Sequence, residues 1–273
     1  METKPYRLAI CAAAIAVAAG VTQSSAQQRH QTVVNTPVFT KFDRHDDAIW
    51  WRTHDRASGK PTTDTGFHKE NIHIENGLMT LRLSDVPYRG RGHTGASYKS
   101  RGLYHYGQYD AVMKAARGSG VISAFYTYTG PVYGDPHDEI DFEFLGRNTQ
   151  EAQLNFYVDG EPQLGVGVPL GFDAADDFHL YTIIWAPGRI VWKIDGEEVY
   201  RVERAVSTMP RHAGKIIADI WAAKGLDKWA GRVNKRALPA TAGVKCVSFR
   251  PADLESSTCA DIWLAKPQGH PAP

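Results

Sequence analysis

Cysteine and methionine are scarce in this chain, with three and four among 273 residues. No Cys-x-x-Cys pair and no His-Glu-x-x-His segment occurs, and the eleven histidines show no zinc-ligand spacing, so the recurring zinc signatures are excluded. An excess of either charge is missing too. Thirty-one basic residues face thirty acidic ones, and a formal net charge of +1 removes the bulk electrostatic case for nucleic acid or an anionic membrane. Long hydrophobic runs are absent after the first, Leu8 to Val21, which is itself shorter than the roughly 20 residues of a membrane span. No long segment keeps the 3.6-residue period of an amphipathic helix.

That first run has the anatomy of an export signal. Lys4 and Arg7 precede it, and Ser24-Ser25-Ala26 offers small residues for cleavage before Gln27. Residues 1–26 are therefore expected to be a secretory signal peptide, with a short buried helix as the alternative. The mature chain is expected to be secreted or periplasmic, free of the membrane and monomeric. Cys11 would leave with the signal. Cys246 and Cys259 remain for an oxidising compartment and are expected to pair, two separate buried thiols being the alternative.

Residues 27–37 read as a polar lead-in, and 38–273 as one domain without linker or repeat. Short β-like runs punctuated by turn signals fill it. Residues 71–83 form a hairpin turned at Asn76-Gly77. Strands follow at 107–116, 120–130, 138–146 and 152–160. Residues 178–203 make three more, turned at Pro187-Gly188 and Asp195-Gly196, and 214–223 and 258–266 complete the set. Many strands at short spacing imply an all-β sandwich or barrel, and we read one sandwich. Seven tryptophans and twelve tyrosines supply its core and flat platforms for sugar rings.

The segment 138–144, Asp-Glu-Ile-Asp-Phe-Glu-Phe, is the unusual one. In a strand, residues two apart share a face, so Glu139, Asp141 and Glu143 line one side and Ile140, Phe142 and Phe144 the other. An ordinary solvated face would mix charges, and here no basic residue relieves the row within the strand. Two carboxyl groups flanking a glycosidic bond are the apparatus of glycoside hydrolysis, as nucleophile and acid/base. The outer two lie about 13 Å apart at Cα by strand rise, a gap that inward-leaning glutamates over a concave sheet can close. Asp141, between them, is expected to hold the acid protonated by its negative charge.

The segment resembles the active-site strand of family 16 glycoside hydrolases, whose Glu-x-Asp-x-Glu pattern carries nucleophile, assisting aspartate and acid/base. The resemblance assigns these roles to Glu139, Asp141 and Glu143, and it extends over roughly residues 70–231. The strand lacks the extra residue of laminarinase-like members, which places it on the side of lichenases and xyloglucan transglycosylases. The resemblance implies a concanavalin-like jelly-roll of two antiparallel sheets with a concave substrate cleft. It also implies substrate contacts at Tyr126, Tyr128, Asn155, Tyr157 and Trp221, with Trp229 helping to wall the site.

There are departures. His137 stands where lichenases carry tryptophan, as in the plant transglycosylases, and is counted among the substrate contacts. Ser97 and Lys99 stand where an acid and a base are expected. No cofactor is implied for catalysis. A structural calcium is, with Gly77 and Asp261 as two of its ligands.

The function implied is a retaining endo-β-glycanase that hydrolyses β-1,3-1,4-glucan or a related exopolysaccharide by double displacement. The alternatives are a transglycosylase on a β-glucan or xyloglucan-like polymer, and a non-catalytic, lectin-like sandwich.

Overall fold

The computed structural model describes residues 32–57 and 59–265. The expected signal peptide and the first part of the lead-in lie outside those residues. The remainder of the lead-in is tied to the body: Val33 bridges Leu103, and the Val34 N–H donates to the Leu103 carbonyl at 2.7 Å.

Alternation of apolar and polar residues builds the strands and decides what they bury. In Glu139–Leu145 and Glu151–Val158, the side chains of Ile140, Phe142, Phe144, Ala152, Leu154 and Phe156 are fully buried between two sheets. The convex sheet has eight strands. Its path runs Glu197–Glu203, Arg189–Ile194, His179–Ala186, Gly107–Lys114, Ala240–Pro251, Leu78–Leu83 and Ile72–Glu75, and Val38–Thr40 adds to Ala240–Pro251. The concave sheet has ten. Its path runs Glu161–Pro162, Glu151–Val158, Glu139–Leu145, Val121–Tyr128, Lys215–Ala222, His93–Ser100, Thr65–Phe67 and Arg56–Ala57, with Val166–Pro169 and Trp50–Arg52 attached. This is the jelly-roll sandwich the sequence implied. Among the named strands, pairing is antiparallel except where Thr65–Phe67 runs parallel to His93–Ser100.

The hairpin turns form where expected. Asn76 and Gly77 take φ of 51° and 75°, and Asp195 and Gly196 take 48° and 91°. Left-handed values at both central residues give the turn whose twist matches the flanking strands.

Two segments differ from the sequence reading. Residues 258–266 were expected as a strand, but Cys259–Leu264 is an α-helix. Thr258 starts it. Its Oγ1 accepts from the Asp261 N–H, and the Asp261 carboxylate accepts from the Thr258 N–H at 2.8 Å, a reciprocal cap that favours a helix over an extended run. Conversely, the longest strand, Ala240–Pro251, lies where none was expected. A register shift between Val244 and Cys246 breaks its two-residue period, which hides it from a pattern reading.

The Cys246–Cys259 disulfide joins that strand to the helix. The Asp261 carboxylate is thus committed to the helix cap and lies 3.8 Å from the Arg250 guanidinium. Gly77, at its hairpin turn, faces the Lys41 carbonyl and Asp43.

The disulfide closes a loop of sequence separation 13. Replacing Cys246 and Cys259 together by alanine is expected to cost about 3 kcal/mol of unfolding free energy. Urea unfolding of residues 27–273 checks this, and an unchanged midpoint would argue against the pairing.

Candidate active site

The strand Glu139–Leu145 lies between Val121–Tyr128 and Glu151–Val158, and its register composes the site. Glu139 is opposite Tyr128 and Tyr157, Asp141 is opposite Tyr126 and Asn155, and Glu143 is opposite Ala124 and Gln153. Directly paired residues share a face, so the acidic row is flanked by tyrosines at one end and by a single methyl beside Glu143. One strand further, Lys215, Ile217 and Asp219 pair with Tyr128, Tyr126 and Ala124. Beyond those, Lys99 and Ser97 pair with Ile217 and Asp219. The polar row across the concave face is therefore set by backbone pairing.

The underside holds the strand still. The Trp192 Nε1–H donates to the Asp141 carbonyl at 3.0 Å, and Phe142 and Phe144 pack on Tyr181 with ring centroids 5.4 and 4.7 Å away. At the strand's entrance, Asp138 is buried. Its Oδ2 accepts from the backbone N–H groups of Arg211 and His212 and contacts His212 Nδ1 at 2.7 Å. Asp138, Asp159 and His212 bring three ligand-type atoms close together. The Asp138 carboxylate is already taken up by these donors, so the cluster is a structural joint.

The three acids differ sharply in environment. Glu139 and Asp141 are 6% and 2% exposed, and Glu143 is more open. Burial pushes the Glu139 carboxyl up, but the Lys60 ammonium, the His137 hydrogen bond and a bond from Asp141 outweigh it and hold Glu139 below the usual range. The distances fit: Lys60 Nζ is 3.5 and 3.4 Å from the two Glu139 oxygens, and His137 Nε2 is 2.6 Å from Oε2. Burial, then the neighbouring carboxyls of Glu139 and Glu143, raise Asp141 well above the normal value, and its hydrogen bond to Glu139 adds to the rise. Burial and the Glu139 charge push Glu143 up to about 8.

This differs from the expected tuning, since the neighbouring carboxyl that raises Glu143 is Glu139 rather than Asp141.

A groove passes over the row. One half is lined by Lys99, Tyr126, Tyr128 and Asp219 among others, and the other by Asn155, Tyr157, Leu226 and Trp229. Lys60, Glu139, Asp141, Glu143 and Trp221 belong to both halves. Of the six residues expected to touch substrate, Tyr126, Tyr128, Asn155, Tyr157 and Trp221 therefore line the groove. His137 is bound to Glu139 and stacked on Tyr157, with centroids 4.9 Å apart. Asn155 also has a structural task, accepting from the Leu164 N–H at 3.1 Å.

Two site residues escaped the sequence reading. Asp219 is 3% exposed, accepts from the Tyr126 hydroxyl at 2.8 Å, and is pushed up to about 7, chiefly by burial. An aspartate inside the apolar run Ile216–Ile220 was the available signal. Lys60, in a loop rich in glycine, proline and threonine, gave none.

A sandwich whose concave sheet carries a buried carboxyl row under an aromatic-walled groove defines the class of glycan-cleaving β-sandwiches. Within it, the chain belongs to the glycosyl hydrolases family 16, which it matches over residues 60–237. It is 39% identical over 224 residues to a β-glucanase of Acetivibrio thermocellus, an alignment that covers 81% of this chain and 64% of that protein. A β-glucanase of Paenibacillus macerans is 36% identical over 185 residues, covering 67% of this chain and 76% of that one. A prokaryotic β-1,3-1,4-glucanase (lichenase) from a mouse hindgut metagenome superposes with a TM-score of 0.75 at 36% identity. That match covers 79% of this chain and 99% of the other.

The protonation pattern makes a prediction for Asp141→Asn. Glu139 rather than Asp141 raises Glu143, so the alkaline limb of kcat/KM should stay in place in Asp141→Asn while the rate falls. A downward shift of that limb in a pH profile would show that Asp141 carries the charge after all.

Proposed function

We propose that the protein is an exported, retaining endo-β-glucanase acting on mixed-linkage β-1,3-1,4-glucan. The observation that carries this reading is the opposite tuning of the two outer glutamates on one strand, Glu139 held ionised and Glu143 raised to about 8. A nucleophile must be anionic and a general acid must keep its proton at the working pH. The relatives named β-glucanase and the lichenase structure support the glucan. No helix of the described residues is long and apolar enough to cross a membrane.

In the first step, a Glu139 oxygen bonds to the anomeric carbon while the glycosidic C–O bond breaks. Its electron pair stays on the leaving oxygen, which takes the Glu143 proton. In the second, Glu143, now a carboxylate, removes a proton from water as the water oxygen bonds to the same carbon and the Glu139 ester bond breaks. Two displacements retain the anomeric configuration. Asp141 donates its proton toward Glu139 and steadies it. The two halves of the groove meet at the row, which suits cleavage inside a chain.

Incubation of the signal-free chain with a panel of β-glucans and exopolysaccharides, with product sizing and NMR of the first anomer released, tests this reading. Oligosaccharides from mixed-linkage glucan with retained β-configuration are expected, and inverted products would overturn the mechanism. Glu139→Gln should leave less than about one percent of the activity, because an isosteric amide is a poor nucleophile. Activity should fall as pH rises through about 8, where Glu143 loses its proton.

A further inference from the structure

Lys60 stands outside the strands that build the active-site row. It comes from the loop between Arg56–Ala57 and Thr65–Phe67, where its carbonyl accepts from the Thr63 N–H at 3.2 Å. From there the side chain reaches across the groove. Its ammonium lies nearly equidistant from the two Glu139 oxygens, at 3.5 and 3.4 Å, and 5.6 Å from the centre of the Tyr157 ring. It lines both halves of the groove.

We propose that Lys60 is a positioning residue of the reaction, the resident counterion of the carboxyl row. It fixes the negative charge on Glu139 in the resting enzyme and stabilises that charge on Glu143 once the glycosyl-enzyme has formed.

The argument is one of charge balance, and it rests on the proposed double displacement. At rest the row holds one negative charge, on Glu139. When Glu139 becomes an ester it is neutral, and Glu143, having given up its proton, is the anion. The row keeps a single negative charge that moves from one end to the other. A buried charge without a partner is costly, and a migrating one needs a cation within reach of both positions.

The surroundings offer few candidates. On its own strand Glu139 faces Asp141 and Glu143. The neighbouring strands present the neutral phenols of Tyr126, Tyr128 and Tyr157, and Asp219 lies beyond. His137 touches Glu139 and is cationic only when protonated. Among the described residues, Lys60 is the lysine or arginine paired with Glu139. Its titration agrees: burial works against its charge, and the carboxyl row, Glu139 foremost, more than offsets this. The same ammonium lowers Glu139 and opposes the rise of Glu143.

Lys60→Met and Lys60→Arg in the signal-free chain test this. At low ionic strength, the acid limb of kcat/KM on mixed-linkage glucan should move up by about one pH unit in Lys60→Met, since one close cation typically depresses a carboxyl by 1–3 units and this one is half exposed. Lys60→Arg should keep the limb in place. A second arm needs no substrate: carbon-13 NMR titration of the Glu139 carboxyl in glutamate-labelled protein, assigned by loss of its signal in Glu139→Gln. Its midpoint should rise in Lys60→Met and stay in Lys60→Arg.

An acid limb that does not move, with a raised KM alone, would make Lys60 a sugar contact and overturn the inference. So would an unshifted NMR midpoint. A wild type that cleaves no β-glucan would sink the proposed function, and the NMR arm would still decide whether Lys60 fixes the charge on Glu139.

Discussion

Three carboxyl groups on one buried face of one strand cannot all be charged, and the rest of the site follows from that constraint. Two like charges about 4 Å apart repel by roughly 4 kcal/mol at the effective dielectric of a protein site. Burial adds its own penalty to each charge. The row relieves both by keeping one charge and distributing protons over the other positions. Which carboxyl keeps the charge is then decided by the partners at one end. Lys60 and His137 both meet Glu139, whereas burial and the Glu139 charge dominate at Glu143. An isolated Glu-x-Asp-x-Glu segment is symmetric in its outer residues. The asymmetry that separates nucleophile from acid comes from a loop and from the residue two before Glu139.

The fold's part is to keep the row from relaxing. Like charges in a flexible segment would swing apart into water. Here the backbone is held on both edges by paired strands, from below by the Trp192 bond to the Asp141 carbonyl, and at its entrance by the buried Asp138. Phe142 and Phe144, packed on Tyr181, leave the strand no freedom to turn over. A one-residue slip would exchange the carboxyls with these aromatics, exposing the rings and burying the acids in the core. The cost of the site and the stability of the sandwich are thus secured by the same side chains.

The part of this that was legible in the sequence is the part governed by period and local turn chemistry. The alternation in residues 138–144 gave the row and its apolar underside, and Asn76-Gly77 and Asp195-Gly196 gave turns. The helix Cys259–Leu264 was misread because the apolar run was weighed above the Thr258–Asp261 cap, and Ala240–Pro251 was missed because its bulge interrupts the alternation. Tyr126, Tyr128, Asn155, Tyr157 and Trp221 came from the family resemblance, and they line the groove. Lys60 was beyond reach for a different reason. Its partner is 79 residues away, and nothing local distinguishes it from a solvated lysine.

The proton distribution also explains why the groove carries a fourth buried acid without a second counterion at the row. Asp219 is raised to about 7, mainly by burial, and the Tyr126 hydroxyl gives it a hydrogen bond that lowers it part of the way back. It lies opposite Ala124, as Glu143 does from the other side, so only a methyl group stands between the two acids along the pairing direction. Asp219 adds to the rise of Glu143. Lys99, lowered to about 8 by burial and by the nearby Arg56, pairs with Ile217 on the strand beyond and works to lower Asp219. The acid end of the row is thus set by burial and by repulsion from neighbouring acids, whereas the nucleophile end is set by direct ion pairing. Burial and repulsion act along the whole row and pairing at one end of it, which is why the partners of Glu139 decide which carboxyl is ionised.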